Sequence, residues 1–370
     1  MRKLYLGVTK NSKQLTFFKH RDFGVTEVIS MPRVGKSVLT RHTFLQLFQE
    51  LIKNPFSNER IIIFDVRGEW EEKITQMNYY SDKPFAIPKS NIIHIKELVY
   101  PISSFKSAEH WVGFNVPSES ADTLAYLGSY YDIYEDDPDR FVKLIRQIPT
   151  SHVTLIQFNK RFEQYGISLP LFLPYSIVVS INRKLDQLIR KGCFKKEDDK
   201  KTTVDIEDWE RMLEKNKVII INFDMKDEVD KFKSRAYTGV ILEQLTNFLG
   251  QYKFNLFFEE ADYLFPYVRE SDDLRTPLSV IKASEYVMKF QKFHINMFFV
   301  TQKEKAMCKG VTSFATTRIV GKASPDDYEY NVKNGFKCYW NPEQNVREFC
   351  ITYEGGYSRI FSPFETQCEP

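Results

Sequence analysis

The fold is decided by residues 25 to 48, which read VTEVISMPRVGKSVLTRHTFLQLF. The first five residues are a short β-branched run typical of a strand, and an apolar stripe at helical spacing runs on from Phe44. Between the strand and the helix lies the turn SMPRVGKS, residues 30 to 37. A helix that opens on GKS presents free backbone N–H groups and the positive end of its dipole, so this turn favours a bound anion.

The turn fits the phosphate-binding pattern GxxxxGK[ST], except that Ser30 stands in place of the first glycine. In such a loop Lys36 neutralises the β- and γ-phosphates, and the Ser37 hydroxyl is a ligand of magnesium. Ser30 fills its position if the backbone there needs no positive φ, and Arg33 is expected to point to solvent or to a neighbour. The alternative is a chance GKS tripeptide at a helix start. We therefore predict an ATP site that comprises Ser30, Pro32, Arg33, Val34, Gly35, Lys36, Ser37 and Val38.

Further apolar runs of strand length recur along the chain, and several end in polar residues. Continuous apolar strands of this kind are buried on both faces, which indicates an α/β fold with a mainly parallel sheet covered by helices. Ligands of such sheets bind beyond the carboxyl ends of the strands. The runs are Ile61 to Phe64, Val218 to Phe223, Phe254 to Phe258, Ile295 to Val300 and Arg318 to Val320.

Two carboxylates follow one of these runs in the segment FNLFFEEAD, residues 254 to 262. In ATPases one strand-end carboxylate holds the magnesium shell, and the next polarises the attacking water. Glu259 fits the first role and Glu260 the second. The alternative is an acidic pair that caps the start of a helix.

Two more strand ends carry candidate site residues. Gln302 can sense the γ-phosphate or orient water, although it is alternatively an ordinary residue at a helix start. Asp65 can join the magnesium shell, while Arg67 and Glu69 of the same FDVRGEW segment are candidates for organising the turn.

The order of the patterns divides the chain into four parts. Helical periodicity and two highly charged loops, at 134 to 140 and 195 to 201, mark residues 78–216 as a mainly helical insertion. The segment VREFCITYEGGYSRIF predicts a β-hairpin. The parts are a short N-terminal segment 1–24, the ATPase core 25–77 and 217–330, the insertion 78–216, and the hairpin segment 331–370.

Composition sets limits on location and partners. Across 370 residues the net charge is only +3, which neither requires nor excludes a nucleic-acid partner. The five cysteines are scattered with no CxxC pair, which argues against a disulfide framework or a zinc knuckle and fits a reducing compartment. No apolar run reaches the roughly 18 residues that span a bilayer, and no signal peptide opens the chain. We expect a cytoplasmic protein without a transmembrane segment.

Five blocks in order resemble the HerA/FtsK superfamily of RecA-like P-loop ATPases, the HerA branch most closely. The resemblance covers about half of the chain. It departs from the family at Ser30, and at Gln291 and His294, where the family tends to have Arg and Gly. The blocks are SMPRVGKS, FDVRGEW, KVIIINFD with the helix DKFKSRAYTGVILEQLTNFL, FFEEADYLFP and MKFQKFHINMFFVTQ.

The resemblance implies a homo-oligomeric ring, usually a hexamer, that hydrolyses ATP with Mg2+ and moves double-stranded DNA through its pore. It assigns ATP and magnesium binding to Lys36 and Ser37, the catalytic carboxylate to Glu260 and the sensor to Gln302. A neighbouring subunit would supply an arginine to the transition state. The first candidate is Arg318, with a surface salt bridge as its alternative. Further candidates are Arg269 and Arg275, and for DNA phosphates Lys289 and Lys292.

Three functions remain open at this point. The first is a DNA-translocating motor in packaging, conjugation or helicase-type work, with a capsid, nuclease or relaxase as a partner. The second is an ATP-gated oligomeric scaffold with low turnover that acts on a protein partner. The third, a secretion or filament-assembly ATPase, ranks last because such ATPases usually carry a transmembrane helix and this sequence has none.

Overall fold

The computed structural model describes most of the chain. The described residues are 2–8, 15–20, 24–74, 89–130, 138–163, 173–196, 204–223, 225–268, 277–281, 288, 293, 295–322, 324–326, 329, 333, 348–353 and 358–363.

An eleven-stranded sheet forms the centre of the molecule, in the order β2-β1-β11-β10-β9-β3-β8-β7-β4-β6-β5. Its strands are β1 (Arg2–Val8), β2 (Leu15–His20), β3 (Gly24–Ile29), β4 (Glu59–Asp65), β5 (Ile92–Ile95), β6 (Val218–Asn222), β7 (Lys253–Phe258), β8 (Asn296–Thr301), β9 (Thr317–Val320), β10 (Phe349–Tyr353) and β11 (Ser358–Pro363).

The sheet has a parallel part and an antiparallel part. From β9 through β3, β8, β7, β4 and β6 to β5, every neighbouring pair is parallel, with Ile29 opposite Thr301 and Phe64 opposite Phe258. The strands β10, β11, β1 and β2 extend the other side in antiparallel pairs. Strand β8 lies between β3 and β7, so the strand that leads to Gln302 separates the strand before the SMPRVGKS turn from the strand before Glu259.

Ten α-helices are described. They are α1 (Lys36–Lys53), α2 (Ala108–Gly113), α3 (Ser118–Tyr130), α4 (Pro138–Gln147), α5 (His152–Phe162), α6 (Tyr175–Arg190), α7 (Ile206–Lys215), α8 (Glu228–Leu245), α9 (Ala261–Leu264) and α10 (Lys309–Thr312).

Alternate residues of the parallel strands point into two cores, one on each face of the sheet. On one face Ile63 and Phe257 pack with Phe44 of α1 and with Trp70. On the other face Phe64 and Phe258 stack at 4.5 Å between ring centroids and belong to the core that the helices between β5 and β6, together with α8, complete. Because both faces are covered, the central positions of the parallel strands are mostly apolar, as their sequences predicted, and buried polar residues such as Glu27, Asn255 and Arg318 are exceptions.

The expected α/β class is confirmed, with a mainly parallel sheet, helices in the segment between β5 and β6, and a C-terminal β-hairpin. The hairpin pairs Phe349 with Phe361. Two details differ from the sequence interpretation. The segment 1–24 supplies β1 and β2, which extend the sheet, and the segment 78–216 supplies β5, which pairs with β6. β1 also pairs with β11, and β5 pairs with β6, both far away in sequence, and local patterns do not report such pairing.

Within the described ranges, no helix combines the length and the apolar character that a membrane crossing requires. Most of the two charged loops lies outside these ranges, at 134–137 and 197–201.

Candidate active site

The sheet order brings the predicted site residues to one edge. The turn after β3, Thr301 and Gln302 at the end of β8, and Glu259 and Glu260 after β7 all lie at the carboxyl ends of adjacent parallel strands. Side-chain contacts join them: the Thr301 hydroxyl donates to Asp262 at 2.9 Å, and the Gln302 amide donates to Glu260 at 2.9 Å. A crevice at this edge is where open α/β sheets bind their ligands.

The SMPRVGKS turn is anchored to β8 and β9 before it enters α1. The Ser30 N–H donates to Thr301 O at 3.3 Å, and the Met31 N–H donates to Lys322 O at 2.8 Å. Gly35 is left-handed at φ 109° and immediately precedes the helix, and Arg33 is also left-handed at φ 63°. Ser30 is fully buried and is not among the described residues with positive φ, so serine can replace glycine there without backbone strain.

Lys36 lies inside the turn, where its ammonium donates to the carbonyl oxygens of Ser30 and Met31, the latter at 3.2 Å. Burial lowers the pKa of Lys36, while the charges of Glu260, Glu259 and Asp262 raise it. The lysine therefore faces a group of carboxylates across the edge. A cation held among helix-start N–H groups is suited to bind a phosphate chain.

Glu260 has a left-handed backbone, and its carboxylate contacts both an amide and a guanidinium. Its φ of 47° and ψ of 51° are left-handed, which is strained for a residue other than glycine and is characteristic of functional positions. Gln302 donates to both carboxylate oxygens, at 2.9 and 3.2 Å, and Arg67 forms an ion pair at 2.8 Å. Burial raises the pKa of Glu260, and Arg67 and Gln302 oppose that shift. Glu260 occupies the N-cap position of α9, but its side chain makes no capping hydrogen bond there.

Glu259 lies deeper than Glu260 and contacts the segment that follows β4. Its Oε1 accepts a hydrogen bond from Trp70 Nε1 at 3.2 Å and lies 3.8 Å from Lys73 Nζ. Ser37, in the first turn of α1, and Glu259 supply a hydroxyl and a carboxylate oxygen, the donor types that magnesium takes from a protein when phosphate and water complete its shell. The donor set fits magnesium, and the ligand roles of Ser37 and Glu259 stay predictions.

Asp65 holds the turn that follows β4. Its Oδ1 accepts from the N–H groups of Gly68 and Glu69 at 3.0 and 3.3 Å, and its Oδ2 accepts from Trp70 at 2.8 Å. The side chain that organises this turn is therefore that of Asp65, rather than those of Arg67 and Glu69. Both oxygens are engaged in a buried turn, and the prediction that Asp65 also joins a magnesium shell stays untested.

The prediction for Arg318 is wrong. Its side chain is buried in β9, with Nε 2.9 Å from Glu27 Oε2 and a second nitrogen 3.1 Å from Glu304 Oε1. A third nitrogen donates to Thr312 O at 2.7 Å. A guanidinium held by these partners in the interior cannot reach the site of a neighbouring subunit. The remaining candidates lie outside the described residues: Arg269, Arg275, Lys289, Lys292, Gln291 and His294.

Sequence reasoning did not give Arg67 or Gly321 a place at the site. Arg67 lies in the FDVRGEW turn and pairs with Glu260. The sequence signal that could have identified it is an arginine in a turn at the end of a strand. Gly321 N–H donates to Ile29 O at 2.8 Å beside the SMPRVGKS turn, and no sequence pattern marks it.

No protein-family model matches the chain, and no curated protein sequence matches it. Solved structures do match. VirB4 of Thermoanaerobacter pseudethanolicus superposes with a TM-score of 0.62 at 12% identity, over 99% of this chain and 98% of that one. The plasmid coupling protein TrwB, in complex with the non-hydrolysable ATP analogue ADPNP, gives 0.61 at 12% identity, over 99% and 94%. The chain has the HerA/FtsK-type fold. At 12% identity the likeness to VirB4 and TrwB shows the fold alone, so the chemistry is inferred from the residues of the site.

Proposed function

We propose that this protein is an ATP-hydrolysing motor that translocates double-stranded DNA as a homo-oligomeric ring. The observation that carries the proposal is the meeting of Lys36, Glu260 and Gln302 at one sheet edge, on a HerA/FtsK-type fold. TrwB, which shares the fold, is a conjugative coupling protein and has been captured with an ATP analogue.

Each residue has a chemical role in this proposal. Lys36 and the N–H groups of the turn bind the β- and γ-phosphates, and Gly35 allows the backbone to approach them. Ser37 and Glu259 would hold Mg2+, which neutralises charge on the phosphate oxygens when it is bound. Glu260 orients the attacking water and accepts its proton, and Gln302 fixes the position of that carboxylate.

The finer parts of the proposal are a hexameric assembly, a cytoplasmic location and a role in packaging, conjugative transfer or helicase-type work beside a capsid, nuclease or relaxase. Lysine and arginine would hold DNA through its phosphates without reading bases. A net charge of only +3 means that such contacts must be concentrated locally rather than spread over the whole surface.

The test is ATP hydrolysis with and without duplex DNA, together with the particle mass. Wild-type protein should hydrolyse ATP faster with DNA at low salt, and Lys36→Ala should lose roughly 100-fold or more of the rate. Lys53→Ala is the control, because Lys53 lies at the far end of the same helix and pairs with Glu50 in an exposed i,i+3 contact. Normal hydrolysis by Lys36→Ala would show that the site is misassigned. Absence of DNA stimulation in an assembled ring would reject the translocating motor.

A second function, the ATP-gated scaffold with low turnover, is favoured by the contacts of Glu260. Its carboxylate is held by both Gln302 and Arg67, and these two contacts lower its pKa and so make it a weaker base toward water. A scaffold would assemble with ATP and release it slowly. Glu260→Gln separates the two functions: a motor loses its biological activity, whereas a scaffold that only needs bound ATP retains it.

A further inference from the structure

We propose that Arg67 is a phosphate-sensing residue that pairs with Glu260 in the state seen here and transfers to the terminal phosphate of a bound nucleoside triphosphate. The transfer would release the carboxylate of Glu260 for the attacking water. The inference rests on the proposed ATPase function and adds to it a residue that ties hydrolysis to the presence of the third phosphate.

The position of Arg67 is set by a rigid turn. Asp65 accepts three backbone N–H groups from the residues that follow Arg67, and Gly68 adopts φ +72°. A Cβ at Gly68 would lie 3.0 Å from the amide of Asn222, so the turn packs closely against the end of β6. The backbone is therefore fixed while the side chain of Arg67, 52% exposed, projects along the open edge of the site.

Arg67 and Lys36 act on the same carboxylate. Arg67 lies 2.8 Å from Glu260 Oε1, and the charges of both Glu260 and Arg67 influence the pKa of Lys36. Two cations and the Gln302 amide thus converge on one acidic group. This donor set is the kind that binds phosphate, and a guanidinium is the side chain best shaped to take two phosphate oxygens.

Charge explains the direction of the transfer. The carboxylate of Glu260 carries at most one negative charge, while the terminal phosphate on Lys36 carries more and presents three acceptor oxygens. The left-handed backbone of Glu260 shows that this residue is held in a strained conformation, and loss of the Arg67 partner leaves its carboxylate held by the Gln302 amide, open to the attacking water on the side that Arg67 occupied. In ADP the third phosphate is missing, so Arg67 would stay with Glu260.

The competing explanation is an ordinary surface ion pair, which contributes little. The chain offers a matched example in Arg146 of α4 and Asp186 of α6, which are also 2.8 Å apart, with Arg146 55% exposed. Arg146→Ala removes an equivalent pair far from the sheet edge and serves as the control.

The experiment measures the affinity of the 370-residue chain for ATPγS and for ADP. The variants are Arg67→Ala, Arg67→Lys, Arg146→Ala and Lys36→Ala. Arg67→Ala should weaken ATPγS binding about 10- to 100-fold and change ADP binding less than about threefold, and Arg67→Lys should recover part of the loss. Arg146→Ala should change none of these.

Equal weakening of ATPγS and ADP, or no change with either, would overturn the role of Arg67, provided that Lys36→Ala abolishes binding in the same assays. If Lys36→Ala binds and hydrolyses ATP normally, the proposed function itself fails and the Arg67 inference falls with it. The two failures are therefore distinguishable from one set of variants.

Discussion

Gly321 provides the space that Ser30 occupies. A Cβ built on Gly321 would lie 2.8 Å from the Cβ of Ser30 and 2.9 Å from Val34 Cγ1, closer than real Cβ contacts allow. The phosphate-binding pattern has a glycine at the position of Ser30. In this protein the glycine lies on the other side of the contact, at Gly321, immediately after β9.

The first prediction follows from this contact. Gly321→Ala should displace the SMPRVGKS turn and weaken ATPγS binding about tenfold or more, because the turn must shift to admit the methyl group. Ser30→Gly alone should bind normally, and Ser30→Gly with Gly321→Ala should recover part of the loss. Recovery is partial because Val34 and Phe349 also meet the added methyl. Isothermal titration of the four proteins measures the coupling, and strictly additive effects would refute it.

The second prediction concerns stability and pH. Burial raises the pKa of Glu27 to about 8, with Arg318 lowering it and Glu304 raising it. Because the folded-state pKa lies above the ordinary value of 4.5, the contribution of Glu27 is full below about pH 4.5 and is lost as pH rises through about 8. The free energy of unfolding of wild type should therefore fall between pH 6 and pH 9.

The free energy of unfolding of Glu27→Gln should fall less over the same pH interval, since the glutamine side chain has no proton to release. Glu228→Gln is the control, because the carboxylate of Glu228 is 72% exposed. Urea denaturation at the two pH values measures the effect. An identical fall in wild type and Glu27→Gln would contradict the assignment.

The third prediction tests the interior location of Arg318. Arg318→Met leaves the buried side chains of Glu27 and Glu304 without their guanidinium partner and, above about pH 8 where Glu27 is ionised, should lower the free energy of unfolding by about 3–5 kcal/mol. Arg318→Met combined with Glu27→Gln should recover part of that loss. Denaturant titration gives both values. A stable Arg318→Met protein that inactivates wild-type subunits in mixed assemblies would instead restore the arginine to an intersubunit role.

The fourth prediction separates the two roles of Asp65. If its oxygens serve the turn, Asp65→Asn should lower the free energy of unfolding by about 1–3 kcal/mol, since an amide cannot accept all three N–H groups as a carboxylate does. The magnesium concentration that gives half-maximal ATPase activity should stay within about twofold of wild type, whereas Ser37→Ala should raise it more. If Asp65→Asn instead raises that magnesium concentration strongly and leaves the free energy of unfolding unchanged, Asp65 is a magnesium ligand.

The parallel sheet and its two-sided cover were predictable because they depend on local patterns. The run Ile61 to Phe64 is apolar at every position, and Phe254 to Phe258 is apolar except for Asn255, as expected of strands buried on both faces. The GKS tripeptide at a helix start likewise predicted an anion-binding turn from neighbours in sequence. The interior location of Arg318 was not predictable, because Glu27 and Glu304 come from distant segments.

The sequence by itself determined which residues stand at strand ends and helix starts, since hydrophobic periodicity and turn chemistry act over a few neighbouring residues. Only the tertiary structure decided which of those ends meet. It inserted β8 between β3 and β7, joined Arg67 to Glu260, and placed Gly321 against Ser30. These contacts arise from strand order and from packing between segments far apart in the chain, and no local pattern encodes them.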